Sequence, residues 1–259
     1  MCLIAFALNA HPRYRLVVAA NRDEFHARPT AAAAWWKDAP DIYGGRDLLQ
    51  NGTWMACHRD GRWAAVTNVR RMELPDPKAP SRGALVTDFL RGSRSAADYA
   101  AALSADASRY AGFNLLLGDA PGSHAGTVYI GNQSVMPPRK LDSGIHAVSN
   151  ASLDTPWPKL LRLRGTMEHW SAAGTTSADP LFAALTDEKT ISDAELPDTG
   201  VGLALERLLS TPFIRSAEYG TRACTMLTID HAGTLRFEER RFGSNGLVLG
   251  AQVEAFALR

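Results

Sequence analysis

The chain opens with two apolar runs of strand length that are separated by a short polar turn. CLIAFAL (residues 2–8) and YRLVVAA (residues 14–20) flank the turn NAHPR, and GTWMACH and RWAAVTN repeat this arrangement before residue 70. Apolar runs joined by turn residues are typical of β-hairpins. The first 70 residues therefore predict two hairpins, so the fold begins with antiparallel sheet.

Helical and strand-like segments then follow along the chain. Apolar residues recur at three- and four-residue spacing in GALVTDFLRG and SAADYAAALSADASRY, behind serines that can cap a helix, and Pro158–Trp170 and Pro180–Leu185 also look helical. FNLLLGD, TVYIGN and IHAVSN predict strands, and RACTMLTID with TLRFEERRF predicts a last hairpin. This order predicts an α+β fold. Because no repeat or linker-like run divides the sequence, we expect a single domain over residues 1–259.

The charge and the lengths of the apolar runs disfavour some function classes. Lys and Arg number 28 against 27 Asp and Glu, which gives a net charge of +1 and no basic footprint for nucleic acid. The longest apolar runs are far shorter than the roughly 20 residues that cross a bilayer, so no membrane span is expected. No basic residue precedes the apolar run at Cys2, so we predict no secretory signal and a cytoplasmic location.

The cysteines and histidines give no sign of a disulfide framework or of a metal site. Cys2, Cys57 and Cys224 are odd in number, far apart and without CxxC spacing. The seven histidines show no HxxxH or HExxH spacing, and the sequence contains neither GxGxxG nor GxxxxGK[ST]. We therefore expect no metal and no cofactor.

Cys2 is the strongest candidate for a catalytic residue in the sequence. Removal of Met1 would place a thiol and a free α-amine on one carbon, and an α-amine with a pKa near about 8 can accept the thiol proton without a histidine. The alternative is that Cys2 is only a small apolar residue at the start of a buried strand.

The polar run NRDE lies beside Cys2 in the predicted first hairpin. If residues 9 and 14 face each other across the turn, the partner of Cys2 is Asn21. Two-residue alternation then puts Asn21 and Asp23 on one face and Arg22 on the other. Asp23 could orient the amine, and Asn21 could donate a hydrogen bond to an oxyanion. A solvated strand end is the alternative for this run.

Several short motifs occur in one order over nearly the whole chain. They are MC at the start, NRDEFHARPT (21–30), GGRD (44–47), GTW (52–54), VTNVR (66–70), SRG (81–83), GFNLL (112–116), GIHAVSNASLDTPWPK (144–159) and YGTR (219–222) with TMLTID after it. On these motifs the chain resembles the NRDE-motif proteins, also called the transport and Golgi organisation protein 2 family, which are similar to N-terminal nucleophile (Ntn) hydrolases. The resemblance implies a four-layer αββα sandwich with mainly antiparallel sheets.

A more distant resemblance links the chain to cysteine-type Ntn amidases such as the penicillin V acylase and choloylglycine hydrolase group. It implies that Cys2 is the nucleophile and that Asp23 is the carboxylate near its amine. It also implies that Asn68 is an oxyanion-hole donor and that Asn150 is a second catalytic asparagine. Without the resemblance, an asparagine that closes an apolar strand is more often a turn former than a catalyst.

One position departs from those amidases. They carry an arginine three residues before the aspartate, where this chain has Ala20. We expect Arg222 or Arg46 to supply the cation that would depress the thiol pKa. Asn21, Arg22, Arg46 and Arg222 are the predicted substrate-binding residues, and structural salt bridges are the alternative for Arg22 and Arg46.

Two functions remain open at this level. One is an Ntn-type cysteine hydrolase that acts on an amide or related acyl bond of a small molecule, cleaving C–N bonds other than peptide bonds. The other is a non-catalytic carrier of haem, lipid or acyl-CoA in the same pocket, because the resemblance implies an association with secretory organisation, lipid and acyl-CoA metabolism and haem mobilisation. The departure at Ala20 favours the carrier. The sequence does not indicate an oligomeric state.

Overall fold

The computed structural model describes residues 2–72, 76, 78–120, 122, 126–133 and 137–259. These residues form two compact units, each built from discontinuous segments of the chain. The first unit takes its described residues from 1–27, 70–74 and 143–255, and the second from 28–69, 75–142 and 256–259. The single domain inferred from the sequence stays a prediction.

The first unit holds an antiparallel sheet of six strands in the order β10-β1-β2-β11-β12-β13, with the last residues of β13 lying in the second unit. Strand β1 lies between β10 and β2, and β2 also pairs with β11, more than 190 residues later. The strands are β1 (Cys2–Leu8), β2 (Tyr14–Phe25), β10 (Gly144–Val148), β11 (Tyr219–Asp230), β12 (Thr234–Phe242) and β13 (Val248–Ala257).

Helices α3 (Pro158–Ala172) and α4 (Asp179–Leu185) pack on one face of this sheet, and α5 (Leu203–Leu208) belongs to the same unit. Alternate residues of β1 and β2 point toward the helices, because successive side chains in a strand face opposite sides. The buried core of the unit includes Leu3, Ala5, Ala7, Val17 and Ala19 from these strands, and Leu160, Leu163, Met167, Leu181 and Phe182 from the helices. This face is called the helix face below, and the opposite one the Cys2 face.

The second unit holds a sheet of seven antiparallel strands in chain order, β3 to β9. They are β3 (Thr30–Trp36), β4 (Ala39–Asp47), β5 (Met55–His58), β6 (Trp63–Asn68), β7 (Phe113–Gly118), β8 (Thr127–Gly131) and β9 (Arg139–Leu141). Helices α1 (Arg82–Arg91) and α2 (Ala96–Asp106) pack on it through buried residues such as Leu85, Phe89 and Ala100. The hydroxyls of Ser81 and Ser95 cap the two helices, as their positions predicted.

The elements confirm the α+β class, with two antiparallel sheets and few helices. The predicted hairpins, the helices α1 to α4 and the final pair β11–β12 are all present. Cys57 and Cys224 lie fully buried inside strands, as expected for small apolar residues. Strands β3, β4, β9 and β13 and helix α5 were not predicted. Among the described residues no helix is long and apolar enough to span a membrane.

The first turn is one residue longer than the sequence suggested. Asn9 adopts a left-handed φ of 48°, and its N–H donates to the carbonyl of Arg15 at 2.8 Å, so Asn9 faces Arg15 rather than Tyr14. The His11 ring holds the extra residue in place, because its Nδ1 accepts from the N–H groups of Arg13 at 3.0 Å and Tyr14 at 3.3 Å. The predicted register is therefore wrong by one residue, and Cys2 pairs with Arg22.

The His11 ring makes the stability of this turn depend on pH. His11 Nε2 lies 3.0 Å from the carbonyl of Thr175, and Nδ1 must stay unprotonated to accept its two bonds. Burial lowers the pKa of His11, although the Thr175 bond opposes this shift. A base whose pKa is lower in the folded state stabilises the fold fully above its unfolded pKa of about 6.5, and this contribution is lost as the pH falls below that value.

We expect the stability advantage of the wild type over His11→Gln to be largest at pH 7.5 and to narrow at pH 5.5, because Gln cannot be charged. Urea unfolding at both pH values measures this difference. A gap between wild type and His11→Gln that is constant or widens on acidification would contradict a neutral buried His11.

Candidate active site

Strand pairing places Arg22 beside Cys2, and the segment after β10 brings Asn150 near them. Cys2 is directly opposite Arg22 on β2, so the two residues share the Cys2 face. On β10, Ile4 is opposite Val148, where the strand ends, and Ser149 and Asn150 follow in a bend next to Cys2.

Ser149 fixes the segment that carries Asn150. Its hydroxyl lies 2.9 Å from the carbonyl oxygen of Cys2 and 3.1 Å from Asn150 Oδ1, within hydrogen-bond distance of both. The N–H of Arg70 donates to the carbonyl of Asn150 at 2.8 Å. Ser149 and Asn150 are each 1% exposed, so this end of the chain segment is held in a buried setting next to Cys2.

Asp23 follows Arg22 on β2 and is also buried. The hydroxyl of Thr221 donates to Asp23 Oδ1 at 2.7 Å, and the hydroxyl of Tyr219 donates to the carbonyl of Asp23 at 3.2 Å. Burial raises the pKa of Asp23, while the positive charge of the chain terminus, Lys159 and the Thr221 bond lower it. Asp23 also donates a backbone hydrogen bond that lowers the pKa of the Cys2 thiol.

A buried lysine stands near this carboxylate. Lys159, in the first turn of α3, is 2% exposed, and its Nζ donates to the carbonyl of Leu209 at 2.9 Å. Burial lowers the pKa of Lys159 to about 8, and the charge of Asp23 opposes that shift. The positive charge of Lys159 in turn lowers the pKa of Asp23.

Arg70 and Glu206 extend the buried polar cluster. The guanidinium of Arg70 donates to the Glu206 carboxylate and, at 3.3 Å, to the carbonyl of Leu209, and it lies 4.6 Å from the centre of the Trp157 ring. Arg70 and Lys159 thus share Leu209 as an acceptor. Both line a recess with Trp157, Pro158 and Leu209.

The Cys2 thiol is 6% exposed, and burial raises its pKa. The positive charges of the chain terminus and of Arg22 lower the pKa, and the charge of Asp23 raises it again. The thiol is therefore not a strongly activated group in this chain. The nearby cations limit the cost of forming a thiolate but do not cancel the effect of burial.

The faces of the NRDE run differ from the predicted ones. Arg22, rather than Asn21, shares a face with Cys2, because the longer turn moves the register by one residue. The prediction that Asn21 is the partner of Cys2 is therefore wrong, although Arg22 does lie on the opposite face from Asn21, as the alternation predicted. Arg22 also makes an ion pair with Glu24 at 3.7 Å, so the structural alternative holds alongside its position near the thiol.

Asn21 lies on the helix face and binds backbone. Its Nδ2 donates to the carbonyls of Leu185 at 2.7 Å and Pro212 at 2.9 Å, and the residue has no exposed surface. Both amide hydrogens are committed to these two carbonyls. The geometry therefore gives Asn21 a role in holding the end of α4 and the loop at residue 212 against the sheet.

The remaining predicted residues lie elsewhere. Arg222 is the extra residue of a β-bulge in β11 and donates to the carbonyls of Phe25 at 2.8 Å and His26 at 3.2 Å. Arg46 and Asn68 belong to the second unit. Arg46 pairs with Asp38 at 2.8 Å, which fits its structural alternative, and Asn68 closes β6. Roles of Arg46, Asn68 and Arg222 at the Cys2 site stay predictions.

Sequence reasoning did not select Lys159, Arg70, Glu206 or Thr221. The position of Lys159 could have drawn attention to it. A lysine in the first turn of a helix is repelled by the positive end of the helix dipole, so its presence there indicates a compensating interaction. Lys159 and Arg70 also end two of the quoted motifs, GIHAVSNASLDTPWPK and VTNVR. Glu206 gave no such signal.

Comparisons with known proteins agree on a family and on a fold. The family model described as Transport and Golgi organisation 2 matches residues 1–244. The human Transport and Golgi organization protein 2 homolog is 34% identical over 256 residues, covering 93% of this chain and 92% of that protein. The Drosophila melanogaster Transport and Golgi organization protein 2 is 28% identical over 263 residues, covering 92% and 91%.

Two solved structures resemble this one at low sequence identity. The Caenorhabditis elegans N-acylethanolamine-hydrolyzing acid amidase ortholog superposes with a TM-score of 0.53 at 10% identity, covering 87% of this chain and 92% of that one. The C2A mutant of the conjugated bile acid hydrolase from Clostridium perfringens gives 0.52 at 7% identity, covering 100% and 92%. The chain therefore has a fold of the Ntn-hydrolase type.

We expect Asn21→Ala to lower the free energy of unfolding by about 2–4 kcal/mol, because two buried carbonyls lose their donors. Urea unfolding measures this loss. In the folded variant, the alkylation rate of Cys2 should stay within about twofold of wild type, since Asn21 lies on the other face. A stable variant whose Cys2 reacts or turns over much more slowly would instead support the predicted role as oxyanion donor.

We expect Arg22→Gln to raise the pKa of Cys2, because the variant loses a positive charge on the same face. The pH profile of Cys2 alkylation by iodoacetamide should move to higher pH, with a rate at pH 7 about threefold or more below wild type. Arg22→Lys should retain most of the rate. Arg236→Gln, at an exposed ion pair on β12, is the control. A profile that does not move would show that Arg22 has no electrostatic effect on the thiol.

Proposed function

Because the chain belongs to the Transport and Golgi organisation 2 family and has an Ntn-hydrolase fold, we propose that it is a cysteine hydrolase of the Ntn type. The observation that carries the proposal is the pairing of Cys2 with Arg22 across β1 and β2, next to the buried residues Asp23 and Asn150. A nucleophile, a cation, an amide donor and a carboxylate are the groups that acyl transfer to a thiol requires.

The proposed substrate is a small-molecule amide or related acyl compound in the cytoplasm. The two solved structures are those of a hydrolysing acid amidase and of a hydrolase of conjugated bile acid. Their sequence identity to this chain is 10% or less, so the reaction class is carried over as a proposal and their substrates are not. A C–N bond outside a peptide is the bond that we propose to be cleaved.

The proposed reaction begins once Met1, which lies outside the described residues, has been removed. The α-amine of Cys2 takes the thiol proton, and the sulfur attacks the acyl carbon to form a C–S bond and a tetrahedral oxyanion. The amide of Asn150 stabilises this oxyanion, with Asn68 as the second proposed donor. Collapse breaks the C–N bond, and the proton held by the amine leaves with the departing amine. Water then hydrolyses the thioester and releases the acid and the free thiol.

Asp23 and Arg22 support this reaction electrostatically. A carboxylate near the terminal amine favours its charged form, which is the form that exists after the thiol has lost its proton. Arg22 favours the thiolate and so offsets part of the effect of burial. Arg22 can thereby fill the role of the cation that the sequence lacks at Ala20.

A carrier function is the second candidate, and the burial of Cys2 favours it. A thiol whose pKa is raised by burial is mostly protonated at neutral pH, which suits a pocket that binds haem, lipid or acyl-CoA without turnover. The two candidates differ in one observable, since only the hydrolase forms a covalent acyl intermediate on Cys2.

We expect the purified chain to lack Met1 and to release 7-amino-4-methylcoumarin from at least one member of a panel of acyl amides of that dye. Intact mass after rapid acid quenching should show an added acyl group that peptide mapping assigns to Cys2. Cys2→Ala should lose the acyl adduct and at least about a hundredfold of the rate. Cys57→Ala, in the second unit, is the matched control and should retain both.

Two results would decide against the hydrolase. One is a chain that keeps Met1 in the cell and loses none on treatment with methionine aminopeptidase, because the proposed base would not exist. The other is a chain without Met1 that binds acyl-CoA or haem yet never carries an acyl group on Cys2. This second result would favour the carrier.

A further inference from the structure

The segment that carries Asn150 folds back on β10, the strand that it leaves. After β10 ends, the chain bends and turns as far as Asp154. The N–H of Asp154 donates to the carbonyl of Ala147 at 2.7 Å, which closes a loop over residues 147–154. Ser149 and Asn150 lie inside this loop. The position of Asn150 therefore depends on what holds Asp154 to the strand.

The side chain of Asp154 adds two contacts to this closure. Its Oδ1 accepts from the N–H of Ala147 at 2.8 Å, and its Oδ2 lies 3.1 Å from Nδ1 of His146. The guanidinium of Arg164, from α3, lies 4.0 Å from Oδ1. One carboxylate thus ties the end of the loop to two consecutive residues of β10. Asp154, His146 and Ala147 are called the Asp154 clamp below.

The residue type at position 154 fits the clamp better than it fits the turn alone. Asp154 has a left-handed φ of 59°, and the other described non-glycine residues with a positive φ are asparagines: Asn9, Asn51 and Asn245. Asparagine and aspartate tolerate this conformation best among residues with a side chain. An asparagine has one acceptor oxygen, whereas a carboxylate has two and can accept from the backbone N–H and from the His146 ring together.

Strand pairing fixes the other half of the clamp. His146 is opposite Phe6 on β1, and the centres of the two rings are 5.5 Å apart. Phe6 is fully buried and, four residues along the same strand, shares a face with Cys2. The clamp is therefore anchored to the strand whose first residue is Cys2.

Asn150 is held at its other side by contacts described above. The hydroxyl of Ser149 lies 2.9 Å from the carbonyl oxygen of Cys2, and the N–H of Arg70 donates to the carbonyl of Asn150 at 2.8 Å. A donor to an oxyanion is effective only when it is fixed in place before the charge develops. The Asp154 clamp supplies the fixed end that the far side of this loop needs.

We propose that Asp154 and His146 are positioning residues, which hold the loop 147–154 so that Asn150 meets the oxyanion next to Cys2. This inference rests on the proposed function, because it uses the donor role that is proposed there for Asn150. The two residues act through Asn150 and need no contact with the substrate.

Amide hydrogen exchange tests the clamp without requiring turnover. Asp154→Ala should speed exchange in peptides covering residues 147–154 by about tenfold, and Asp154→Asn should speed it less, because one acceptor remains. Asp230→Ala is the matched control. It removes a similar bond, from the N–H of Thr234 to Asp230 Oδ1 at 2.7 Å, in a turn at the opposite end of the sheet. This control should leave exchange in the loop unchanged.

The rate of acylation of Cys2 tests the positioning role, with an acyl amide that the wild type cleaves. Asp154→Ala should slow acylation about tenfold. His146→Leu should slow it about threefold, and His146→Asn should retain most of the rate, because the amide nitrogen can take the place of Nδ1. In an Asn150→Ala background, adding Asp154→Ala should slow acylation less than twofold further, because the clamp acts only through Asn150.

The outcomes separate this proposal from the proposed function. Unchanged exchange in Asp154→Ala overturns the clamp, whatever the chain does with acyl amides. A loss of acylation rate that is the same with and without Asn150 shows a merely structural role, which overturns the positioning and leaves the nucleophile intact. A wild type that never carries an acyl group on Cys2 overturns the proposed function and the positioning role with it.

Discussion

The backbone ladder between β1 and β2 is the interaction on which the site depends. It decides which side chains share a face with Cys2, because a slip of one residue exchanges the two faces of a strand. The ladder is set at one end by the turn, where the His11 ring and the left-handed Asn9 accommodate one extra residue. At the far end of the hairpin, that turn determines that Arg22 and not Asn21 faces the thiol.

The sequence was sufficient for the elements and for the identity of the nucleophile candidate, since both rest on local patterns. Apolar alternation predicted β1 and β2, and serine caps predicted α1 and α2. The face of each NRDE residue was not predictable in this way. It depends on how a histidine ring bonds inside a turn, and imidazole contacts leave no periodic trace in a sequence.

The buried charges show a second limit of sequence reasoning. Lys159, Arg70 and Glu206 look like ordinary surface residues of helical or loop segments, yet each is at least nine-tenths buried. Their burial is tolerated because the Leu209 carbonyl accepts from both cations and because Glu206 pairs with Arg70. Such compensation exists only between segments far apart in the chain, so it becomes visible only in three dimensions.

The strands that were not predicted lack a clear sequence pattern. Strand β13, for example, carries apolar residues that alternate weakly and remain exposed.

The pairing of β2 with β11 has a consequence for the order in which the chain is made. Strand β2 ends at Phe25, but its second partner ends at Asp230, so most of the protein must leave the ribosome before the central ladder of the first sheet can close. Contacts between such distant segments form slowly, because the entropy of closing a long loop must be overcome first. During that interval the edge of β2 that pairs with β11 has no strand partner, although β10, α3 and α4 are made earlier and can cover β1 and one face of the hairpin. A nascent chain of this protein therefore exposes an apolar strand edge for most of its synthesis, which makes it a natural client for chaperones that bind near the ribosomal exit.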